Sequence, residues 1–186
     1  MQFSDLFEDV PIVAAVKSHD ELEQSLMCDS NVIFVLFGDI CNIAEIVEQI
    51  KASGKLAIVH IDLIEGLAPR EIGVEYIKEQ TGADGIISTK APLIRHAKNL
   101  GLIAIRRFFL LDSMSLDNIA KASGEDKADA YEVLPGVLPK IIRQIVKDCE
   151  KPIIAGGLIR DKEDVVGALG AGAVAVSSTN SKVWFM

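Results

Sequence analysis

The chain has 186 residues, of which 49% are apolar and 25% charged, with a net charge of −8 at pH 7. This length suits one domain over residues 1–186, and the composition excludes a disordered or collagen-like chain. The acidic balance argues against a protein that coats nucleic acid through a broad basic face.

No apolar run reaches the roughly 18 residues that a membrane-spanning helix needs. Residues 1–10 carry Asp5, Glu8 and Asp9, without the basic start and apolar middle of a secretory signal. A cytoplasmic protein with no membrane partner is expected. Cys28, Cys41 and Cys149 are odd in number and form no CxxC pair, so ordinary thiols are expected rather than a zinc or redox site.

Eight short runs rich in Val and Ile are predicted as strands. They begin at Pro11, Val32, Lys55, Ala83, Leu102, Ala128, Pro152 and Ala173. Short continuous apolar runs fit the strands of a parallel sheet covered by helices. Helices are predicted between them at 20–27, 43–52, 70–80, 93–100, 115–122, 138–149 and 162–169. In the second, Ile43, Ile46, Val47 and Ile50 share a face, as Ile141, Ile142, Ile145 and Val146 do in the sixth. Ser18 or His19, Ser113 and Asp161 read as helix starts, and Gly54, Gly82, Gly101 and Gly170 or Gly172 as helix ends.

This alternation predicts an α/β fold, a small single-domain (β/α)8 barrel of the TIM type, ahead of an open doubly wound sheet. It is short for a class in which about 250 residues is typical. After the eighth strand only 180–186 remain, so the last helix is truncated. Either Trp184 and Phe185 cover that part of the exterior, or a second copy does as a homo-oligomer.

Sites in such barrels lie at the C-terminal ends of the strands, and phosphate sites use the loops after strands seven and eight. Those ends are Gly156-Gly157 and Ser177-Ser178-Thr179. Glycines let backbone approach an anion closely, and the serines and threonine supply N–H and hydroxyl donors. The same residues could equally serve close packing and turn capping. His60 and Asp62 share strand parity and are expected to point to one side of the barrel mouth. Ser88 and Lys90 share parity likewise. Arg106 and Arg107 face opposite ways, and Arg107 is the one expected inside, paired with Glu132 on the next strand. His19 and His96 are expected to be solvated. No metal-binding spacing and no GxSxG nucleophile motif is present.

The runs HIDLIEGL (60–67), GIISTK (85–90), RRFFLLDS (106–113), EVLPG (132–136), PIIAGGLI (152–159) and AVSST (175–179) resemble the bacterial glycerol-uptake operon antiterminators, in order and over nearly the whole chain. The resemblance implies a regulator that responds to glycerol 3-phosphate and acts on the leader mRNA of glycerol-utilisation genes, with no catalytic residue, metal or cofactor. It places Gly156, Gly157, Ser177, Ser178 and Thr179 on the phosphate. His60, Asp62, Glu65, Lys90, Arg107 and Glu132 would line the pocket. No RNA-binding patch is visible in the sequence. The loops at 66–70 and 112–115 are candidates for the moving element by position.

Two other readings compete. One is a barrel enzyme (isomerase, lyase or transferase) acting on a small phosphate ester, with His60, Asp62, Lys90 and Glu132 as acid–base groups. Against it, HIDLIEG has no Lys two residues after Asp62, as a DxKxxD decarboxylase motif would require. The other is a binding protein that has lost both roles.

Overall fold

The structure, a computed structural model, describes residues 3–186. Met1 and Gln2, the start of the segment read above as lacking a secretory signal, lie outside the described residues. Among the described residues, eight parallel strands close into a barrel in chain order: β1 (Ile12–Val16), β2 (Val32–Val35), β3 (Leu56–His60), β4 (Gly85–Ser88), β5 (Ile103–Phe109), β6 (Ala130–Leu134), β7 (Ile153–Gly156) and β8 (Ala175–Ser178). The β1–β8 ladder that closes the ring pairs Ala14 with Ser178.

Strand parity sorts the core into two layers. Val13, Ala15, Phe34, Ile58, Ile87, Ile105, Ala130, Ile154 and Ala175 fill the barrel interior. The alternate residues, among them Ala14, Ile33, Val59, Ile86, Tyr131 and Val176, pack outward against the helices. Both faces are buried in most strands, which is why those strands read as apolar runs rather than as alternating ones.

The helices are α1 (His19–Leu26), α2 (Ile43–Ala52), α3 (Glu71–Tyr76), α4 (Ala91–Asn99), α5 (Ser113–Glu125), α6 (Pro139–Asp148), α7 (Lys162–Gly170) and α8 (Ser181–Trp184). Ser18, Asp112 and Asp161 cap α1, α5 and α7, each side chain accepting from the backbone N–H three residues on. The single helix expected over 70–80 is α3 followed by a wider π turn, Ile77–Thr81, which Gly82 ends in the left-handed conformation. Helix α8 is a single turn. Trp184 is buried, and its indole Nε1 donates to the Ser178 carbonyl at 2.7 Å, whereas Phe185 stays exposed. Trp184 alone of the pair therefore closes the barrel wall beside β8 and β1.

No helix among the described residues is long and apolar enough to cross a membrane. Nor does any group of three or more His, Cys, Asp or Glu side chains there form a metal site. The three cysteines are unpaired, Cys28 buried and Cys41 exposed.

Candidate functional site

Strands β5 and β6 pair in a register that sets Arg107 directly beside Glu132. Both carry the inward parity of Ile105 and Ala130, so an ion pair forms inside the barrel mouth. Arg107 Nε donates to Glu132 Oε2 at 2.6 Å, with 8% of the arginine and 1% of the glutamate exposed. The second carboxylate oxygen, Oε1, accepts from the Ser177 hydroxyl at 2.6 Å.

That second bond passes over a whole strand, since β7 lies between β6 and β8. Gly156 makes the passage possible. A Cβ there would stand 2.5 Å from Ser177 Oγ and 2.7 Å from Glu132 Oε1, closer than real contacts allow. The glycine at this position thus opens a window between the two polar groups. A charged pair buried this deeply holds only when its remaining lone pairs are satisfied, and Ser177 supplies that bond.

Beyond this triad the ends of β7 and β8 converge on one cavity of about 330 Å³. It is lined by Arg107, Glu132, Gly157, Ser177, Ser178 and Thr179, together with Leu158, Ile159, Arg160 and Asn180. The backbone bends sharply there, with Gly157 at φ 74° and Leu158 at φ 64°. Two hydrogen bonds clasp the loops together. The Ser178 hydroxyl donates to the Ile159 carbonyl at 2.8 Å, and Asn180 Nδ2 donates to the Arg160 carbonyl at 3.0 Å. Since the Ser177 and Ser178 hydroxyls donate elsewhere in this arrangement, an anion here would meet backbone N–H groups, Thr179 and the Arg160 guanidinium. Nothing in the sequence singles out Arg160, since an Arg in a loop reads as a solvated charge.

The remaining candidates lie apart from this cavity. His60 points into the barrel as expected. It is buried, its Nδ1 has no hydrogen-bond partner, and its pKa is lowered to about 4, by burial first and the Arg107 charge second, against an opposing pull from Asp62. Asp62 does not share its side, because β3 ends at His60 and the chain turns into a 3-10 turn at Ile61–Leu63. The Asp62 carboxylate instead accepts from the Ser88 hydroxyl at 2.9 Å and the Thr89 N–H at 2.9 Å. Glu65 is exposed, and its backbone pairs with that of Asp39. Lys90 is exposed at the start of α4, two residues beyond the end of β4.

Arg106 faces outward, as its parity requires. It bonds Asp126 at 2.9 Å and lies 4.6 Å over the Phe108 ring. Tyr131, buried beside Asp126, has its phenol pKa raised by that burial and by the nearby carboxylate. His19 is exposed, as expected, but His96 departs from the solvated reading. His96 is half-buried and lies 3.1 Å from Glu75, and His19 packs edge-on against Phe37.

A closed eight-stranded barrel with a polar cavity joining its seventh and eighth strand ends defines the chain as a small (β/α)8 barrel of the TIM class. Residues 12–184 match the glycerol-3-phosphate responsive antiterminator family, and the chain belongs to that family. It is 42% identical over 179 residues to the uncharacterized protein YgcP of Escherichia coli (strain K12), across 96% of this chain and 94% of that one. It matches the glycerol uptake operon antiterminator regulatory protein of Listeria monocytogenes str. 4b F2365 with a TM-score of 0.91 and 29% identity over 96% of both chains. A glycerol uptake operon antiterminator-related protein of Thermotoga maritima MSB8 matches with a TM-score of 0.79 and 32% identity, over 94% of this chain and 98% of that one.

Proposed function

We propose that this protein senses glycerol 3-phosphate in the cavity between the β7 and β8 ends, and in that state binds the leader mRNA of glycerol-utilisation genes to prevent termination. The observation that carries the reading is the convergence of the two loops on one cavity that has a cation, Arg160, at its rim and a buried Arg107–Glu132 pair at its base. The phosphate would sit against the backbone of 157–159 and 179. The glycerol hydroxyls would reach Glu132 and Arg107, whose acceptor and donors suit a diol. The family's regulatory role supports this assignment. No residue here is assigned to catalysis, and the protein works in the cytoplasm on a soluble metabolite and an RNA.

The test is an RNA-binding titration with a transcript of the host's glycerol-operon leader, with and without glycerol 3-phosphate, while phosphorus NMR follows the ligand. Tighter RNA binding with the ligand chemically unchanged supports the sensor. Turnover of the ligand would favour a phosphate-ester enzyme, and RNA binding indifferent to the ligand would leave no switch.

A further inference from the structure

We propose that the groove between α4 and α5, at the end of β5, is the surface on which a single-stranded segment of RNA docks, and that Arg107 connects it to the ligand cavity. This rests on the reading of the chain as an RNA-binding antiterminator.

The groove encloses about 740 Å³ and is separate from the β7–β8 cavity in all but one residue. In a chain of net charge −8 its lining includes five basic residues, Arg95, Arg106, Arg107, Lys121 and Lys127, with Glu125 and Asp126 as the acidic ones. Internal pairing uses some of that charge, since Arg106 bonds Asp126 and Arg107 bonds Glu132. Arg95, Lys121 and Lys127 are exposed, and among the described residues none of the three forms an ion pair. The basic patch that the composition hides is therefore assembled from three separate segments: α4, α5 and the turn after α5.

Cations alone would suit any polyanion. The groove also presents an aromatic face, because Phe109 lines it with half of its surface exposed. Beside it, Phe108 carries the Arg106 guanidinium over its ring. Phosphates on lysine and arginine with an unstacked base on an aromatic ring is how single-stranded RNA is held. A duplex keeps its base faces stacked and offers nothing to Phe109, whereas the unstacked bases of a single strand can lie on the ring. Asn118, three residues before Lys121 on α5, adds a side-chain amide of the kind that bonds base edges.

The groove and the ligand cavity share Arg107. Its partner Glu132 also accepts from Ser177, so the bonded chain Ser177–Glu132–Arg107 starts at the cavity wall and ends on a residue that also borders the groove. A diol phosphate that competes for Glu132 or Arg107 would re-aim the guanidinium. Ligand and RNA then favour the same arrangement, which is the differential affinity a switch requires.

The experiment measures leader-transcript binding by fluorescence anisotropy, using the full chain saturated with glycerol 3-phosphate. The triple variant Arg95→Glu, Lys121→Glu, Lys127→Glu should bind RNA at least ~100-fold more weakly. Replacing the same three residues with alanine should flatten the slope of log affinity against log salt by about 2, the loss expected for three single-strand phosphate contacts. Thermal stabilisation by glycerol 3-phosphate should be unchanged in both. Phe109→Ala, a milder change at the surface, should weaken RNA binding on the order of tenfold or more.

A control triple, Lys140→Glu, Arg143→Glu, Lys147→Glu on the exposed face of α6, removes the same charge elsewhere and should leave most of the affinity. If the groove variants bind RNA like the unaltered protein, or if the α6 control is equally impaired, the groove assignment is overturned while the sensor reading stands. If the unaltered protein binds no leader RNA at any ligand concentration, both fall together.

Discussion

Arg107 and Glu132 meet at 2.6 Å inside the barrel mouth, neighbours in register on adjacent strands and almost wholly shielded from water. Removing one member of such a pair leaves a buried charge without compensation. Glu132→Ala should cost about 3–5 kcal/mol in chemical denaturation, whereas the double replacement Arg107→Met, Glu132→Leu should recover much of that loss. Both variants should lose stabilisation by glycerol 3-phosphate. A double variant that still responds to the ligand would show that the pair belongs to the scaffold alone.

His60 makes stability depend on pH in a defined window. A histidine in the unfolded chain titrates near 6.5, while this one is pushed down to about 4 by burial and by Arg107. Between those values the unfolded chain takes up a proton that the native protein refuses. Stability therefore falls as pH drops from 7 through 6.5 toward 4, by about 1.4 kcal/mol per unit at the steepest and about 3 kcal/mol in all. Urea titrations at pH 4.5 and 7 should show this difference in the unaltered protein, reduced in His60→Gln. Equal pH dependence in the two proteins would contradict the account.

Gly157 sits at φ 74°, and a Cβ there would meet Leu134 at 3.1 Å. Gly157→Val places a β-branched side chain in the left-handed region and should cost about 1–3 kcal/mol. It also fills the floor on which the phosphate is placed, so ligand-induced thermal stabilisation should vanish even after the lower baseline is allowed for. Intact stabilisation would move the anion elsewhere.

Trp184 joins the last turn to the site. Trp184→Ala removes a buried indole and should cost about 3–5 kcal/mol. Trp184→Phe keeps most of the volume, loses the Nε1 bond to Ser178, and should cost only about 1–3 kcal/mol. Calorimetric unfolding separates the two. Equal loss in both would assign the effect to the hydrogen bond rather than to coverage of the barrel wall.

The barrel was legible because most strands are buried on both faces and so write themselves as apolar runs, and because Gly82, Gly101 and the capping Asp161 punctuate the helices. Parity set Arg106 and Arg107 on opposite sides, and the need to pair a buried arginine pointed to Glu132 on the next strand. Parity failed at Asp62 because it holds only while the strand lasts, and β3 stops at His60. The π turn after Tyr76 was invisible, since its hydrogen-bond slip leaves no periodic mark on five residues. Arg160, Lys121 and Lys127 carry no local pattern. They become a site only when closure of the barrel brings separate loops to a common wall.

The central claim is that the β7 and β8 ends hold one anion between them. Amide NMR on the isotope-labelled protein, titrated with glycerol 3-phosphate, tests it most directly. The account predicts the largest shifts at Gly157, Leu158, Ile159, Thr179 and Asn180, with smaller ones spreading through Ser177 toward Arg107. Saturation of binding with these amides unmoved, and the main shifts elsewhere, would contradict it.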